Sequence, residues 1–342
     1  MLKKLLVFFL VCLLCAGCAA PAADSAPETT TEPAAEVVTE ATEPQPEESP
    51  EEAAILKILI IGNSQSSDAT MILFDVFKAQ NPDQQVVLGH TYYKDASIED
   101  QAGLMSLEEE VFEYRKNTDG TWVKTLDLDM RTVLEDDKWD IVVFQEDSFK
   151  AGLSASFQNI YIQAITGYVD SNLEHPHKFA WNLTWACSND ETFYASSYVP
   201  QPPDGFKDTF KRTYNFSSGA QLNQMIAQVN SYILTNEEID FVIPSGTAIQ
   251  YANIVLDVPH TELYRDYTHL LDFGRTMVAY LWYTQITGEP LTEVKLDIFP
   301  EEMRPNLYKK YGDLEITQEM KDIIVKTVNG TLEAPLELPT RS

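Results

Sequence analysis

Cysteine is almost absent from the body of this chain. Of four in 342 residues, Cys12, Cys15 and Cys18 fall at the extreme N-terminus and only Cys187 lies beyond them. No disulfide framework can brace the main part of the chain, and a single thiol there reads as buried rather than reactive. Histidine is nearly as scarce, at five residues. No His or Cys cluster has metal-ligand spacing, and Asp127 and Asp129 merely bracket Leu128. A glycine-rich phosphate loop is missing too, since Gly62 stands alone. The expectation is a protein without metal or cofactor. Basic residues are outnumbered, 24 Lys and Arg against 53 Asp and Glu, for a net charge of −29. That field argues against nucleic acid and anionic membrane surfaces as partners and suits a neutral substrate.

The N-terminus is of a different kind. Lys3 and Lys4 precede an apolar run, Leu5 to Leu14, that is too short to span a bilayer. Cys15-Ala16-Gly17-Cys18 then resembles a bacterial lipobox, with Cys15 where leucine is usual. The expectation is a signal peptide over 1–18 with Cys18 as the lipidated residue. An ordinary secretory peptide cut near Ala19 or Ala20 is the alternative. From Ala19 to Glu52 the chain is nearly all Ala, Glu, Pro and Thr, with no Lys or Arg. Such a stretch cannot bury enough apolar surface to offset its ordering entropy. We therefore expect a disordered acidic tether over 19–54. It leads to a domain over 55–342 at the bacterial cell surface, attached to the membrane only through its lipid.

In that domain, strand signals recur at α/β spacing: Lys57–Ile61, Gln85–Tyr93, Asp140–Phe144, Lys178–Trp185 and Asp240–Ile243. Short, largely apolar runs of this kind suit a parallel sheet covered on both faces. Helical patterns lie between them, over Asp68–Gln80, Phe157–Leu173, Ala220–Leu234 and His269–Thr287, although Met71 and Phe74 fall off the apolar stripe of the first. Val111–Tyr114 and Thr121–Thr125 flank Asn117-Thr118-Asp119-Gly120, a hairpin signal between the second and third core strands. The pattern predicts a three-layer α/β/α sandwich on a mainly parallel five-stranded, flavodoxin-like sheet, with a β-hairpin insertion.

In an open α/β sheet, ligands bind at the carboxyl ends of the strands. Ser64 sits there, straight after the first strand, where it is either a nucleophile or a helix cap. Its sequence context is not a Gly-x-Ser-x-Gly elbow, because Ser66 stands in the last position. A serine nucleophile needs a base. His175 and His177 read as solvated loop residues, His90 as a satisfied core group, and His260 lacks an upstream carboxylate at close spacing. His269 has Asp266 three residues earlier, a spacing that can orient an imidazole, or that can simply cap a helix. The third strand ends in Gln145-Glu146-Asp147-Ser148. Gln145 there could donate to an oxyanion, whereas the adjacent Glu146 and Asp147 make a poor glycosidase pair because neighbouring side chains at a strand end diverge.

Together these residues resemble the SGNH (GDSL-like) hydrolase superfamily, and within it an uncharacterised bacterial branch often found on surface lipoproteins. Ile60-Ile61-Gly62-Asn63-Ser64 is similar to the first family block, with Asn63 where many members have Asp. Trp139 to Gln145 resembles the third block, with Gln145 for the more usual Asn, and Asp266-x-x-His269 resembles the fifth. Phe241 to Ala248 and Trp181 to Trp185 resemble motifs of the narrower branch. The resemblance implies Ser64 as nucleophile, His269 as base and Asp266 as its orienter. It further implies an oxyanion hole from the Ser64 amide and Gln145. The family also expects a glycine N–H after the second strand. Here the stretch is Lys94-Asp95-Ala96-Ser97, so Ala96 is the stand-in donor and Asp95 brings a carboxylate that would oppose an oxyanion.

The expected function is extracytoplasmic hydrolysis of small esters, O-acetyl groups on carbohydrate among them; Trp181, Trp185, Tyr92 and Tyr93 suit stacking on a sugar and suit core packing equally well. A non-catalytic glycan- or solute-binding lipoprotein on the same fold is the alternative. Acyl transfer to a sugar or peptidoglycan hydroxyl would use the same residues.

Overall fold

The structure, a computed structural model, describes residues 55–157, 159–198, 200–299 and 315–341. The expectations for segments 1–18 and 19–54, Cys18 included, fall outside them. Seven strands form one sheet: β1 (Leu56–Gly62), β2 (Val86–Tyr92), β3 (Phe112–Asn117), β4 (Trp122–Leu128), β5 (Ile141–Phe144), β6 (Lys178–Asn182) and β7 (Phe241–Ile243). Their order across the sheet is β4-β3-β2-β1-β5-β6-β7. The five strands β2, β1, β5, β6 and β7 run parallel, β3 pairs antiparallel with β2, and β4 pairs antiparallel with β3. The expected five-stranded sheet is thus corrected to seven. The hairpin is no separate excursion, because β3 pairs with the otherwise open edge of β2 and satisfies its backbone groups.

Alternation along β1 builds both cores. Ile58 and Ile60 point to a layer holding the helices Leu73–Gln80, Ser245–Ile254, Asp272–Thr287 and Gln318–Glu333. Leu59 and Ile61 point to the other, holding Ile98–Ser106, Met130–Glu135, Asn159–Asn172 and Ser218–Gln228. Each of these β1 side chains is at most 1% exposed, worth roughly 1.5–3 kcal/mol apiece in burial.

Three helix expectations are corrected. The pattern over Asp68–Gln80 resolves into two helices, Ser64–Thr70 and Leu73–Gln80. Off-stripe Met71 and Phe74 are covered from the side by the hairpin: the Met71 carbonyl accepts the Trp122 indole N–H at 3.1 Å, and Phe74 packs by Gly120. The pattern over Ala220–Leu234 ends in a π-turn at Val229–Ile233. The helix expected over His269–Thr287 begins at Asp272. His269 instead lies in a loop pinned at Leu270, which bridges Tyr264 and donates its N–H to buried Asp68 at 2.8 Å.

Candidate active site

The serine is delivered by a tight strand-to-helix turn. β1 ends at Gly62, where any Cβ would collide with the Ser66 hydroxyl. Asn63 then caps the helix Ser64–Thr70, its side-chain oxygen accepting the Gln65 N–H at 3.0 Å. The capping role considered for Ser64 therefore belongs to Asn63, and the Ser64 side chain is left for other work. As first residue of the helix, Ser64 has no intrahelical acceptor for its own N–H.

The Ser64 Oγ lies 2.9 Å from His269 Nε2. The other ring nitrogen, Nδ1, lies 2.9 and 3.1 Å from the two carboxylate oxygens of Asp266. Asp266 does not cap the helix. Its Oδ1 accepts the backbone N–H groups of Thr268 (2.9 Å) and His269 (2.7 Å), so one carboxylate shapes the loop and orients the ring. Burial pushes the Asp266 carboxyl up, but the hydrogen bonds from the imidazole and these N–H groups outweigh it and hold it below the usual range. Burial pushes the His269 imidazole down. The Asp266 hydrogen bond and the charges of Asp68 and Asp266 more than offset that, so its pKa lies above the usual range.

Two salt bridges hold the loop to the serine helix. Asp68, one turn along from Ser64, takes Arg275 Nη2 at 2.6 Å and Nε at 2.9 Å, and Arg265 Nη1 at 2.9 Å. Nothing local marked this clamp in the sequence beyond an Arg in an otherwise apolar helix.

Gln145 sits 1% exposed behind the serine turn, in a relay whose direction is fixed by its far end. The Trp282 indole N–H can only donate, and it donates to Ser245 Oγ at 3.0 Å. Ser245 donates to Asn182 Oδ1 (2.6 Å), and Asn182 donates to Gln145 Oε1 (2.6 Å). The Gln145 amide nitrogen therefore faces the serine turn, where it reaches Asn63 Oδ1 at 3.4 Å. Asn63 Nδ2 passes the relay on to Ala96 O and Asp147 Oδ2. Asn182 and Ser245 were legible only as polar residues at strand ends.

The structure brings Ala96 to this network through its carbonyl, while its N–H points to Tyr93 O at 3.4 Å. Asp95 carries the backbone conformation for which a glycine is suited, φ 55°. Its side chain is 67% exposed and lies 3.9 Å from Lys94, so solvent screens the expected opposition to an oxyanion.

The remaining titratable groups fall elsewhere. His175 binds Asp140 at 2.9 Å with its side chain still 31% exposed, whereas His177 is largely buried against Phe179, which corrects the reading of the latter as solvated. His260 bonds Ser188 at 2.7 Å. Glu146 and Asp147 are both buried, and burial pushes their carboxyls up to about 8 and about 7. Trp181 and Trp185 are interior, at 1% and 0% exposure, and cannot stack on a ligand. Half-buried Tyr267, between Asp266 and His269, contacts Phe149 and Phe206 with ring centroids 6.1 and 5.2 Å away. Sequence patterning gave no hint of this aromatic wall, since its members come from three separate loops and helices. No metal-binding group of His, Cys, Asp and Glu occurs among the described residues.

Comparison with known proteins places this architecture. The family model described as "Domain of unknown function (DUF4886)" matches residues 57–304. A DUF4886 family protein from Bacteroides uniformis superposes with a TM-score of 0.67 at 23% identity, over 84% of this chain and 98% of that one, and shows the same fold. A putative SGNH hydrolase from Slackia heliotrinireducens aligns with a TM-score of 0.40 at 12% identity, over 68% of this chain and 100% of that one. A catalytic mutant of an acetylxylan esterase from Geobacillus stearothermophilus aligns with a TM-score of 0.40 at 11% identity, over 69% and 96%. No curated protein matches the chain.

Proposed function

We propose that this chain, which belongs to the DUF4886 family, is a serine esterase of SGNH type that acts through a Ser64 acyl-enzyme. One observation carries the reading: Ser64 Oγ, His269 and Asp266 form a continuous hydrogen-bonded series with links of 2.9 Å. That is the arrangement a nucleophile, its base and the base's orienter require.

In the first half-reaction the Ser64 oxygen attacks the ester carbonyl while its proton passes to His269 Nε2. The resulting imidazolium is stabilised by Asp266. The tetrahedral oxyanion takes the Ser64 N–H and the Gln145 amide, which the relay from Trp282 holds nitrogen-forward. The Ala96 N–H would join only by leaving Tyr93 O. Collapse breaks the bond to the alcohol, which leaves with the proton from His269. Water then attacks the acyl-enzyme by the same route and releases the carboxylic acid with Ser64 restored.

The substrate in this reading is a small acyl ester, an O-acetyl group on carbohydrate above all, met outside the cytoplasm by a domain tethered at Cys18. The acidic surface supports a neutral substrate. The test is labelling of the full chain by a fluorophosphonate and turnover of p-nitrophenyl acetate. Ser64→Ala and His269→Ala are expected to abolish both. Equal turnover by wild type and Ser64→Ala would remove Ser64 as nucleophile. Oligosaccharide binding with no labelling would favour the non-catalytic alternative.

A further inference from the structure

Beside the serine helix, under the hairpin, lies a cavity of about 590 Å³, within the ~300–1,000 Å³ range of small-molecule sites. Strand register sets its floor. His90 in β2 stands opposite Arg115 in β3, and Arg115 opposite Lys124 in β4, so the pleat turns all three to one face, and all three line the cavity. Trp122, half-buried, lines it as well, with its N–H held by the Met71 carbonyl. Ser67 contributes from the helix side, its hydroxyl accepting from Arg115 Nη1 at 3.0 Å.

Two features define what this space would take. His90 was expected to be a satisfied core group, yet it is 1% exposed and its Nε2 has no hydrogen-bond partner. That atom is enclosed by protein, so His90 closes the floor of the cavity rather than offering it a contact. Burial, together with Arg115, depresses its pKa to about 3, so the ring is neutral and adds no charge to the wall. The cations are also already matched. Glu113 pairs with Arg115 at 2.6 Å and with Lys124 through its other oxygen, and the whole chain carries −29. An added anion would compete with Glu113, whereas hydroxyls can both donate to a carboxylate and accept from a guanidinium or ammonium.

We propose that this cavity is a binding site for a neutral sugar unit of the substrate, with Trp122 as its aromatic surface and the Glu113–Arg115–Lys124 group as its polar contacts. The proposal rests on the reading of the substrate as a carbohydrate ester and names where the glycan is held. Ser64 and Ser67 are three residues apart on one helix, and side chains at that spacing are ~5–6 Å neighbours. The sugar site therefore adjoins the nucleophile without including it.

The experiment is isothermal titration of the full chain carrying Ser64→Ala, so that nothing turns over, with xylotriose, cellotriose and chitotriose as neutral probes and trigalacturonate as the anionic one. At least one neutral trisaccharide is expected to bind. Adding Trp122→Ala or Lys124→Ala should weaken it by about tenfold or more, a factor readily resolved as a change in Kd. Val123→Ala, on the opposite face of the same strand and 65% exposed, should bind as the parent does. Should Trp122→Ala fail to fold, Lys124→Ala on the exposed edge decides the matter. Binding by no neutral probe, binding by trigalacturonate alone, undiminished affinity in the variants, or an equal loss in Val123→Ala would each overturn the proposal. The two readings fail separately. Ester turnover without trisaccharide binding sinks the sugar site alone. Variant-sensitive binding without fluorophosphonate labelling sinks the esterase and leaves the sugar site standing.

Discussion

Exchanging Asp266 for Asn isolates the contribution of its charge. The carboxylate does two jobs in the structure: Oδ1 accepts the N–H groups of Thr268 and His269, and both oxygens face His269 Nδ1. An asparagine keeps Oδ1, so the loop retains its two backbone bonds and the variant should fold. What disappears is a charge-assisted hydrogen bond to the imidazole, worth ~1.5–3 kcal/mol, or roughly 10–150-fold in rate. The amide can also present its own N–H to Nδ1, which would force the ring proton onto Nε2, the atom that must accept from Ser64. With that tautomer loss included, kcat/KM on p-nitrophenyl acetate should fall by ~10²–10⁴. The pH profile carries a second signature. His269 acts as a base only when neutral, so wild-type activity rises with pH through a pKa held above the usual range. Asp266→Asn removes two of the influences that raise it and leaves burial, which lowers it. The acid limb must therefore move to lower pH while the plateau drops. Activity kept within about threefold of wild type, or a limb displaced to higher pH, would refute the assigned role.

Other consequences are open to direct measurement. Arg275→Met should cost ~3–5 kcal/mol in denaturant unfolding, because Arg275 and Asp68 are each only 2% exposed at the side chain; a loss under about 1 kcal/mol would mean that Arg265 and the Leu270 N–H suffice for Asp68. Glu146 keeps its proton in the folded state up to about pH 8, well past its ordinary value of 4.5. The folded state binds more protons across that window, so stability falls as pH rises through it. Glu146→Gln removes that contribution, and its Tm relative to wild type should increase from about pH 5 to about pH 8; a difference that does not vary with pH would contradict the assignment. Cys187 is fully buried and burial pushes its thiol well up, so iodoacetamide should label it only in denaturant, and rapid labelling of the native chain would be the contrary result.

Much of the site was legible because its signals are local. A continuous apolar run ending in Gly62-Asn63-Ser64 marks a buried parallel strand that delivers a serine, and Asp266-x-x-His269 is a four-residue motif that needs no distant partner to be seen. What misled was any feature decided by contact across the chain. Met71 and Phe74 broke the helical stripe because the hairpin covers them from the side. Trp181 and Trp185 suited a ligand or the core equally well, since a strand-end tryptophan reads the same in either setting, and the fold puts both in the core. His90 looked like a satisfied core residue because its missing partner is a spatial fact.

The sequence by itself determined the strand and helix periods, the chemistry on offer and the order in which serine, carboxylate and histidine appear. Periodicity and turn chemistry act over a few residues and survive in one dimension. Only the tertiary structure decided that Ser64 and His269, 205 residues apart, meet at hydrogen-bond distance, that Trp282 orients Gln145 through Ser245 and Asn182, and that His90, Arg115 and Lys124 line one cavity. Hydrogen-bond geometry and desolvation depend on which atoms are brought together, and that is fixed by packing the two helical layers against a single sheet that includes the hairpin.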